Sequence, residues 1–225
     1  MHRDVVVLAD LAAIVRELEH EYPQTPSLLD YRTPFQLMVA VALSAQTTDA
    51  QVNRVTPQLF DRFPTAAQLA AAPLDQVSEI IRSIGFYRRK AKHIIAAAAI
   101  VEREHDGQPP RTMEALVQLP GIGRKSAGVI LAQIYAQPAI IVDTHFGRVA
   151  RRLGVTAADD PVKVERDVAA KLDRDLWIAC SMRLNYHGRR YCHARKPNCT
   201  ACPIRQHCPS RDSFSAPNRS SAGAG

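Results

Sequence analysis

The chain has 225 residues, of which 46% are hydrophobic, and its 29 Lys and Arg against 22 Asp and Glu leave a net charge of +7. This composition supports a packed core and excludes wholesale disorder, and the length fits one large domain or two small ones. The longest apolar run, 94–101, is far shorter than the roughly 20 residues of a membrane span. We therefore expect a cytoplasmic protein with no membrane partner, whose positive charge favours an acidic partner.

Apolar residues recur with helical spacing along the whole chain, and no stretch alternates long enough to predict a strand. The predicted fold class is therefore all-α. Thr and Asp side chains cap free helical amides and proline suits a first turn, so such positions indicate helix starts. In chain order, the predicted features are an apolar helical face of Leu8, Leu11, Ile14, Val15 and Leu18, a helix start at Thr33, a face of Leu74, Val77, Ile80, Ile81 and Ile84 with Gly85 ending the helix, and helix starts at Thr112 and Asp160.

No proline-rich or glycine-rich linker divides the middle of the chain. Two lobes, if the chain forms them, must therefore share several connections. The last segment, 213–225, is rich in Ser, Ala and Gly and has too little apolar surface to offset the entropy of ordering. We expect this segment to be a disordered tail.

A glycine turn lies between two predicted helices, within the sequence Leu119 to Ser126. Gly121 and Gly123 allow the backbone to tighten, and the second helix, from Arg124, then directs its unpaired amides outward. Such amides and the helix dipole suit a phosphate group. Taken alone, the turn is equally consistent with a plain connection between two helices.

A carboxylate, Asp143, follows a short apolar segment and precedes Thr144 and His145 in a helix that ends near Leu153 and Gly154. An aspartate at this position is most often a simple N-cap. The apolar approach also places it at a partly buried helix start, where its oxygens are available as acceptors. Both interpretations remain open at this point.

Four of the five cysteines are clustered in the pattern Cys192-x6-Cys199-x2-Cys202-x5-Cys208. In a reducing compartment, closely spaced thiols are more often metal ligands than disulfides. The spacing predicts a metal site and distinguishes an iron–sulfur cluster from zinc only weakly. The fifth cysteine, Cys180, is expected to be a buried, inert thiol.

These motifs together resemble the endonuclease III family of the helix-hairpin-helix DNA glycosylase superfamily. The likeness runs from about Tyr31 to Pro209. It is carried in order by Leu43 to Asp49, Leu119 to Lys125, Val142 to His145, His187 to Arg189 and the four clustered cysteines. The resemblance implies two lobes: a six-helix barrel with the helix-hairpin-helix motif at 27–137, and a domain formed by 1–26 and 138–212. The second lobe would hold a [4Fe–4S] cluster on Cys192, Cys199, Cys202 and Cys208.

The resemblance also implies a bifunctional DNA glycosylase and abasic-site lyase of base excision repair, acting on oxidised pyrimidines. Lys125 corresponds to the nucleophile that forms a Schiff base before β-elimination, and Asp143 to the carboxylate that assists it. The implied partner is double-stranded DNA with a damaged base or an abasic site. Nothing in the sequence indicates obligate oligomerisation, so we expect a monomer, associated with the nucleoid in a bacterium.

An enzyme that rotates a nucleotide out of the duplex must fill the hole that it leaves. By resemblance, Gln46 and Phe86 are the candidates for this task, although Phe86 could instead be a core residue. The other expected DNA contacts are made by the glycine turn, by the helix start after Asp143 and by the basic loop between the first two clustered cysteines: Gly121, Gly123, Arg124, His145, Arg195 and Lys196. The residues of the basic loop should mainly meet phosphates.

One departure bears on the substrate. Gly128 stands where many members of the family have asparagine, and the segment 126–128 resembles adenine mismatch glycosylases. The enzymatic alternative is therefore a monofunctional adenine mismatch glycosylase. That branch usually lacks the lysine found here as Lys125, and it has a C-terminal recognition domain for which this chain has no room. The alternative of another class is a non-catalytic DNA-binding module stabilised by a metal.

Overall fold

The computed structural model describes residues 10–214, and these residues form helices joined by short loops, with no β-strand among them. The predicted all-α fold class is confirmed. Two 3-10 turns, Arg174–Leu176 and Arg205–His207, accompany the α-helices. The α-helices are α1 (Leu11–Glu21), α2 (Pro34–Leu43), α3 (Asp49–Arg62), α4 (Ala66–Ala70), α5 (Leu74–Ile80), α6 (Tyr87–His105), α7 (Met113–Val117), α8 (Arg124–Tyr135), α9 (Thr144–Arg152), α10 (Pro161–Ala169) and α11 (Trp177–Arg190).

The described chain divides into two compact units. We call Pro26–Gln137 the central unit; the described residues up to Thr25, together with those from Pro138 onward, form the terminal unit. Among residues 10–214, none of the helices combines the length and the apolar character that crossing a membrane needs. Of the expected tail, Ser213 and Phe214 are described, with the Arg152 guanidinium 4.3 Å from the Phe214 ring, whereas 215–225 lie outside the described residues, as does Leu8 of the first predicted face.

The core of the central unit surrounds α2, in which every residue from Phe35 to Leu43 is buried. A helix that is apolar on all sides is stable only when other elements cover all of it. Helices α3, α6 and α8 pack against it, and α4 packs along α6. This arrangement leaves the loops before α3, α6 and α8 at the surface of the unit.

The core of the terminal unit is built around the crossing of α9 and α11. At the crossing, a Cβ atom on Gly188 would lie 2.9 Å from the Cβ of His145 and 3.1 Å from its carbonyl oxygen. Real Cβ atoms do not approach other atoms so closely, so glycine is what lets the two helices meet here. Helix α1 covers α11 with its buried face of Leu11, Ile14, Val15 and Leu18.

The predicted helix starts are confirmed, because the capping bonds are formed. Thr33 Oγ1 accepts from the Gln36 amide at 3.2 Å, Thr112 Oγ1 from Ala115 at 3.3 Å, and Asp160 Oδ1 from Lys163 at 3.0 Å.

The predicted end of α5 at Gly85 is wrong, since the helix ends at Ile80. The chain continues in tighter turns, in which the Ile84 amide donates to the Ile81 carbonyl at 2.9 Å. Residues three apart share a side in such turns, so Ile81 and Ile84 stay buried and the apolar pattern continues beyond the helix.

Candidate active site and metal-binding loop

The glycine turn before α8 is held in a form that only glycine adopts freely. The Ile122 amide donates to the Leu119 carbonyl at 3.0 Å, and Gly121, at the third position of this turn, has φ +85°. A positive φ at this position favours glycine. A Cβ on Gly121 would also lie 3.1 Å from the Cβ of His93, so the turn rests directly on α6.

Helix α8 begins directly after this turn, as predicted, with Gly123 as an N-cap that offers no side-chain acceptor. The amides of the first turn are therefore not satisfied by a capping side chain, and the helix dipole adds partial positive charge there. Arg124 and Lys125 occupy the first two positions of the helix and are exposed. The structure thus presents the Lys125 amine at the surface of the central unit.

Gln46 and Phe86, the two residues expected to fill a hole in the duplex, both have a left-handed backbone, with φ +54° and +57°. Both side chains are exposed, and Phe86 is 60% exposed, so it is not a core phenylalanine. The Arg89 guanidinium lies 5.0 Å from the centre of the Phe86 ring. One depression of about 200 Å³ is lined by residues that include Gln46, Phe86, Arg89, His93 and Gly121.

Asp143 is the N-cap of α9, as the sequence predicts, and both of its carboxylate oxygens accept hydrogen bonds. Oδ1 accepts from the Phe146 amide at 2.7 Å, and Oδ2 accepts from the Asn185 side-chain amide. The Arg189 guanidinium donates to Asn185 Oδ1 at 3.0 Å, which fixes the orientation of the Asn185 amide. The half-buried carboxylate is therefore the cap of α9, and it is also held by the hydrogen-bonded pair of Asn185 and Arg189 from α11.

His145 lies two residues after Asp143, in the first turn of α9, where Arg148 Nη2 is 3.2 Å from its Nδ1. Burial lowers the pKa of His145, and this effect outweighs the opposite effect of the Asp143 carboxylate. A neutral ring can accept at Nδ1 from the arginine. His145 is therefore a half-buried residue close to Asp143 in the chain, and its surroundings favour the neutral ring.

The four clustered cysteines line a single, partly open cavity in the terminal unit. Arginines of α9 hold the start of the loop. Arg148 Nε donates to the Cys192 carbonyl at 2.8 Å, while Arg152 Nη1 lies 3.1 Å from Cys192 Sγ and donates to the His193 carbonyl at 2.8 Å. The loop is thus fixed by the same helix that carries Asp143.

The donor set of this cavity fits a metal centre. Four thiols line it together, and four cysteines are the ligands of iron–sulfur clusters as well as of structural zinc sites.

The cysteine thiols must lose their protons to become ligands. Burial raises the pKa of Cys202 to about 11 and that of Cys208 in the same direction. Metal binding therefore displaces protons from these thiols. Cys180 lies apart from them, fully buried in α11, and burial raises its pKa to about 12, in agreement with the predicted inert thiol.

Arg195 and Lys196 lie between the first two clustered cysteines, and both are exposed. The backbone just before them is tied to α9, where Arg152 Nη2 donates to the Ala194 carbonyl at 2.9 Å. The metal-binding loop therefore presents these two cations on an anchored surface.

Comparison with known proteins identifies the family. Residues 39–174 match the HhH-GPD superfamily of base excision DNA repair proteins, and residues 192–208 match the iron-sulfur binding domain of endonuclease III. The chain is 46% identical over 194 residues to Endonuclease III of Synechocystis sp., covering 86% of this chain and 89% of the relative. It is 42% identical over 188 residues to Endonuclease III of Bacillus subtilis, covering 83% and 86%.

The chain belongs to the endonuclease III family. The solved structure of a trapped endonuclease III–DNA covalent intermediate resembles it with a TM-score of 0.85 at 37% identity, covering 92% of this chain and 97% of that chain. The protein is a DNA glycosylase with abasic-site lyase activity in base excision repair, and it carries a [4Fe–4S] cluster. The family, activity and cofactor predicted from the sequence are confirmed.

The structure of this protein brings some of the predicted site residues together. Gln46, Phe86 and Gly121 line one depression, and the four cysteines line one cavity. Lys125 lies in the central unit and Asp143 in the terminal unit.

The sequence analysis missed two polar residues of the site: Asn185, which is bonded to Asp143, and Lys90, which is bonded to the turn that contains Gln46. The spacing of Asn185 and Arg189, four residues apart on a helix, is the one local signal that could have found the first. No local signal marks Lys90, because its partners lie far away in the sequence.

Proposed function

We propose that this enzyme excises oxidised pyrimidines from duplex DNA with Lys125 as its nucleophile. The observation that carries the proposal is the exposed Lys125 amine in the first turn of α8. This helix start directly follows the glycine turn, and its uncapped amides suit a phosphate. The endonuclease III relatives support the reaction type. The lesion class rests on the resemblance to that family.

The reaction forms and breaks bonds at the deoxyribose of the rotated nucleotide. The Lys125 amine, after losing a proton, attacks C1′, and the base leaves with the electron pair of the glycosidic bond. Opening of the sugar ring gives a Schiff base between C1′ and Nζ. Loss of a proton from C2′ then expels the 3′ phosphate by β-elimination, and water releases the enzyme.

Asp143 supplies the acid–base chemistry in this proposal. Its carboxylate stabilises positive charge on the sugar as the base departs and accepts a proton from the attacking amine. Asn185 and the Phe146 amide hold one oxygen each, so the carboxylate has a fixed direction. His145, whose pKa is lowered by burial, is a further candidate contact to the nucleotide.

The remaining predicted residues bind or position the DNA. Gln46 and Phe86 fill the hole, since both side chains are exposed to solvent. The next three contacts, Gly121, Gly123 and Arg124, cradle a backbone phosphate at the start of α8.

The loop between the cysteines adds further phosphate contacts through Arg195 and Lys196. Cys192, Cys199, Cys202 and Cys208 are the proposed cluster ligands. When bound, the cluster fixes this loop, and four thiolates leave it no open position for a substrate.

Borohydride trapping on duplex DNA with a single oxidised thymine tests the proposal, because it reduces a Schiff base to a stable covalent complex. We expect a complex with the native protein and none with Lys125→Gln. Lys163→Gln is the matched control, since Lys163 is also exposed in the first turn of a helix, α10. It should trap as the native protein does.

Two outcomes contradict the proposal. Excision of adenine from a mismatch without a trapped complex would indicate a monofunctional adenine glycosylase. Trapping on abasic DNA but no excision of oxidised thymine or cytosine would remove the proposed lesion class and leave the role of Lys125 intact.

A further inference from the structure

Lys90, in the first turn of α6, is a buried lysine that the proposed mechanism does not use. The residue is 7% exposed. Lysine is almost never buried unless its ammonium group is paired, because removing the charge from water is unfavourable. The burial of the Lys90 ammonium must therefore be offset by bonds to other groups of the protein.

The Lys90 ammonium makes three short hydrogen bonds, all to one turn of the chain. Its Nζ donates to the carbonyl oxygens of Leu43 at 2.8 Å and Ala45 at 2.6 Å, and to Thr47 Oγ1 at 2.7 Å. Burial and the Arg89 guanidinium lower the pKa of Lys90. The three acceptors nevertheless match the three N–H donors of the charged ammonium. A neutral amine has only two N–H donors and would leave one of the three acceptors without its bond.

These bonds surround Gln46, which belongs to the same turn. The turn is closed by the Thr47 amide, which donates to the Ser44 carbonyl at 3.0 Å. Gln46 has φ +54°, a conformation that is strained for a residue with a side chain and persists only when its surroundings impose it. The Lys90 ammonium bonds Ala45 and Thr47, the residues on either side of Gln46, and these two bonds hold Gln46 in this conformation.

The backbone of Lys90 reaches the other residue proposed to fill the hole. Its amide donates to the Phe86 carbonyl at 3.0 Å, as the first hydrogen bond of α6. Phe86 itself has φ +57°. Lys90 thus holds Phe86 through its main chain and the Gln46 turn through its side chain.

We propose that Lys90 is a positioning residue that fixes the Gln46 turn relative to Phe86, so that the two hole-filling side chains enter the duplex as one preformed unit. This inference rests on the proposed function of Gln46 and Phe86. We call the three hydrogen bonds of the Lys90 ammonium to Leu43, Ala45 and Thr47 the brace. Without the brace, the Gln46 turn has to become ordered while the nucleotide is being rotated out, and the open duplex closes before the hole is filled. Excision of a stacked base should then become slow.

The variants are chosen to separate the brace from the charge. Lys90→Met keeps the length of the side chain and removes its three donors. Lys92→Met, on the same helix but at an exposed position, removes the same charge and no bond of the brace. Thr47→Val removes the hydroxyl, which accepts from Lys90 at 2.7 Å and donates to the Ala45 carbonyl at 3.5 Å. Thr47→Ser restores the hydroxyl, so this second pair answers the question even if Lys90→Met fails to fold.

The measurement is the single-turnover rate of excision of a paired oxidised thymine, compared with trapping on an abasic site. A misplacement of about 1 Å can slow an enzyme by roughly 100-fold, so we expect Lys90→Met to excise about 10- to 100-fold more slowly than Lys92→Met. Trapping at the abasic site should change far less, because there is no base to unstack. Thr47→Val should show a smaller loss of the same kind, and Thr47→Ser should behave as the native protein.

A fluorescent reporter distinguishes positioning from a general loss of structure. 2-Aminopurine beside the lesion brightens when it unstacks, and its signal on binding should be reduced in Lys90→Met and retained in Lys92→Met. Equal excision rates for the two lysine variants, or for the two threonine variants, would overturn the inference. The same follows if excision and abasic trapping fall by equal factors. Failure of the native protein to trap at all would overturn the proposed function and, with it, this inference.

Discussion

The carboxylate of Asp143 is both the N-cap of α9 and the proposed catalytic group, and two substitutions separate these contributions. Asp143→Ala removes both acceptors, the one for the Phe146 amide and the one for Asn185. The cap is worth about 1 kcal/mol and the second bond about 1 kcal/mol. A loss of about 2 kcal/mol should lower the melting temperature by about 4–8 °C in a chain of this size.

Asp143→Asn keeps less of this network than its shape suggests. An amide offers one acceptor oxygen, and its nitrogen is a donor. If the oxygen caps the Phe146 amide, the nitrogen faces the donor group of Asn185, whose own oxygen is already bonded to Arg189. The variant should therefore lose about 1 kcal/mol and melt about 2–4 °C below the native protein.

Activity should not follow these stabilities. General acid–base groups contribute about 10²- to 10⁴-fold, so both Asp143 variants should excise oxidised thymine at least about 100-fold more slowly at a temperature well below either melting point. Single-turnover excision and thermal unfolding, measured on the same preparations, test this. Asp160 provides the control because it caps α10 with a bond of 3.0 Å to the Lys163 amide. Asp160→Ala should lose about 1 kcal/mol and keep its activity.

The result that would refute this reasoning is an Asp143→Asn variant with excision within a few-fold of the native rate. The carboxylate would then be a cap alone. Loss of activity in Asp160→Ala to the same extent as in Asp143→Ala would lead to the same conclusion, since stability would then account for both.

Three further predictions concern packing, DNA binding and the cluster. Gly188→Ala places a Cβ against His145 and should lower the free energy of unfolding by about 1–3 kcal/mol, measured by thermal unfolding. Gly85→Ala is the control, because nothing lies within 4 Å of the added carbon, and it should leave the melting temperature unchanged. Equal shifts of the melting temperature in the two variants would contradict the close helix crossing. Arg195→Gln and Lys196→Gln should each reduce the slope of log affinity against log salt by about 1 without altering base preference, and a changed preference would assign them to base recognition. Cys199→Ala should lose the visible absorbance of the cluster and DNA affinity together, and full affinity without iron would disprove a positioning role for the cluster.

Much of the fold is encoded in local signals that a single sequence displays. The starts of α2, α7, α9 and α10 follow from a Thr or Asp side chain that caps amides within its own turn. The cysteine loop is equally local, since all four thiols lie within 192–208. The end of α5 was predicted wrongly because buried residues three apart are compatible with both a helix and the tighter turns that follow it.

The contacts that position the site are not local, which is why periodicity and capping do not reveal them. Lys90 meets acceptors 43–47 residues away in the sequence, and Asn185 lies 42 residues from Asp143. Each side chain looks like an ordinary polar residue of its own helix. Gly188 is of the same kind, because a glycine inside a helix is unfavourable locally and is explained only by the helix packed against it.

Gln46 and Phe86 depart from local rules in a way that itself points to function. Asp106 and Ala136 also have positive φ, but they are C-caps, where a left-handed residue commonly ends a helix. Gln46 and Phe86 have no such role, and each left-handed conformation costs about 1–3 kcal/mol. Packing offsets little of this cost, because both side chains are exposed. Both conformations leave the side chains exposed, as the proposed role of filling the hole in the duplex requires.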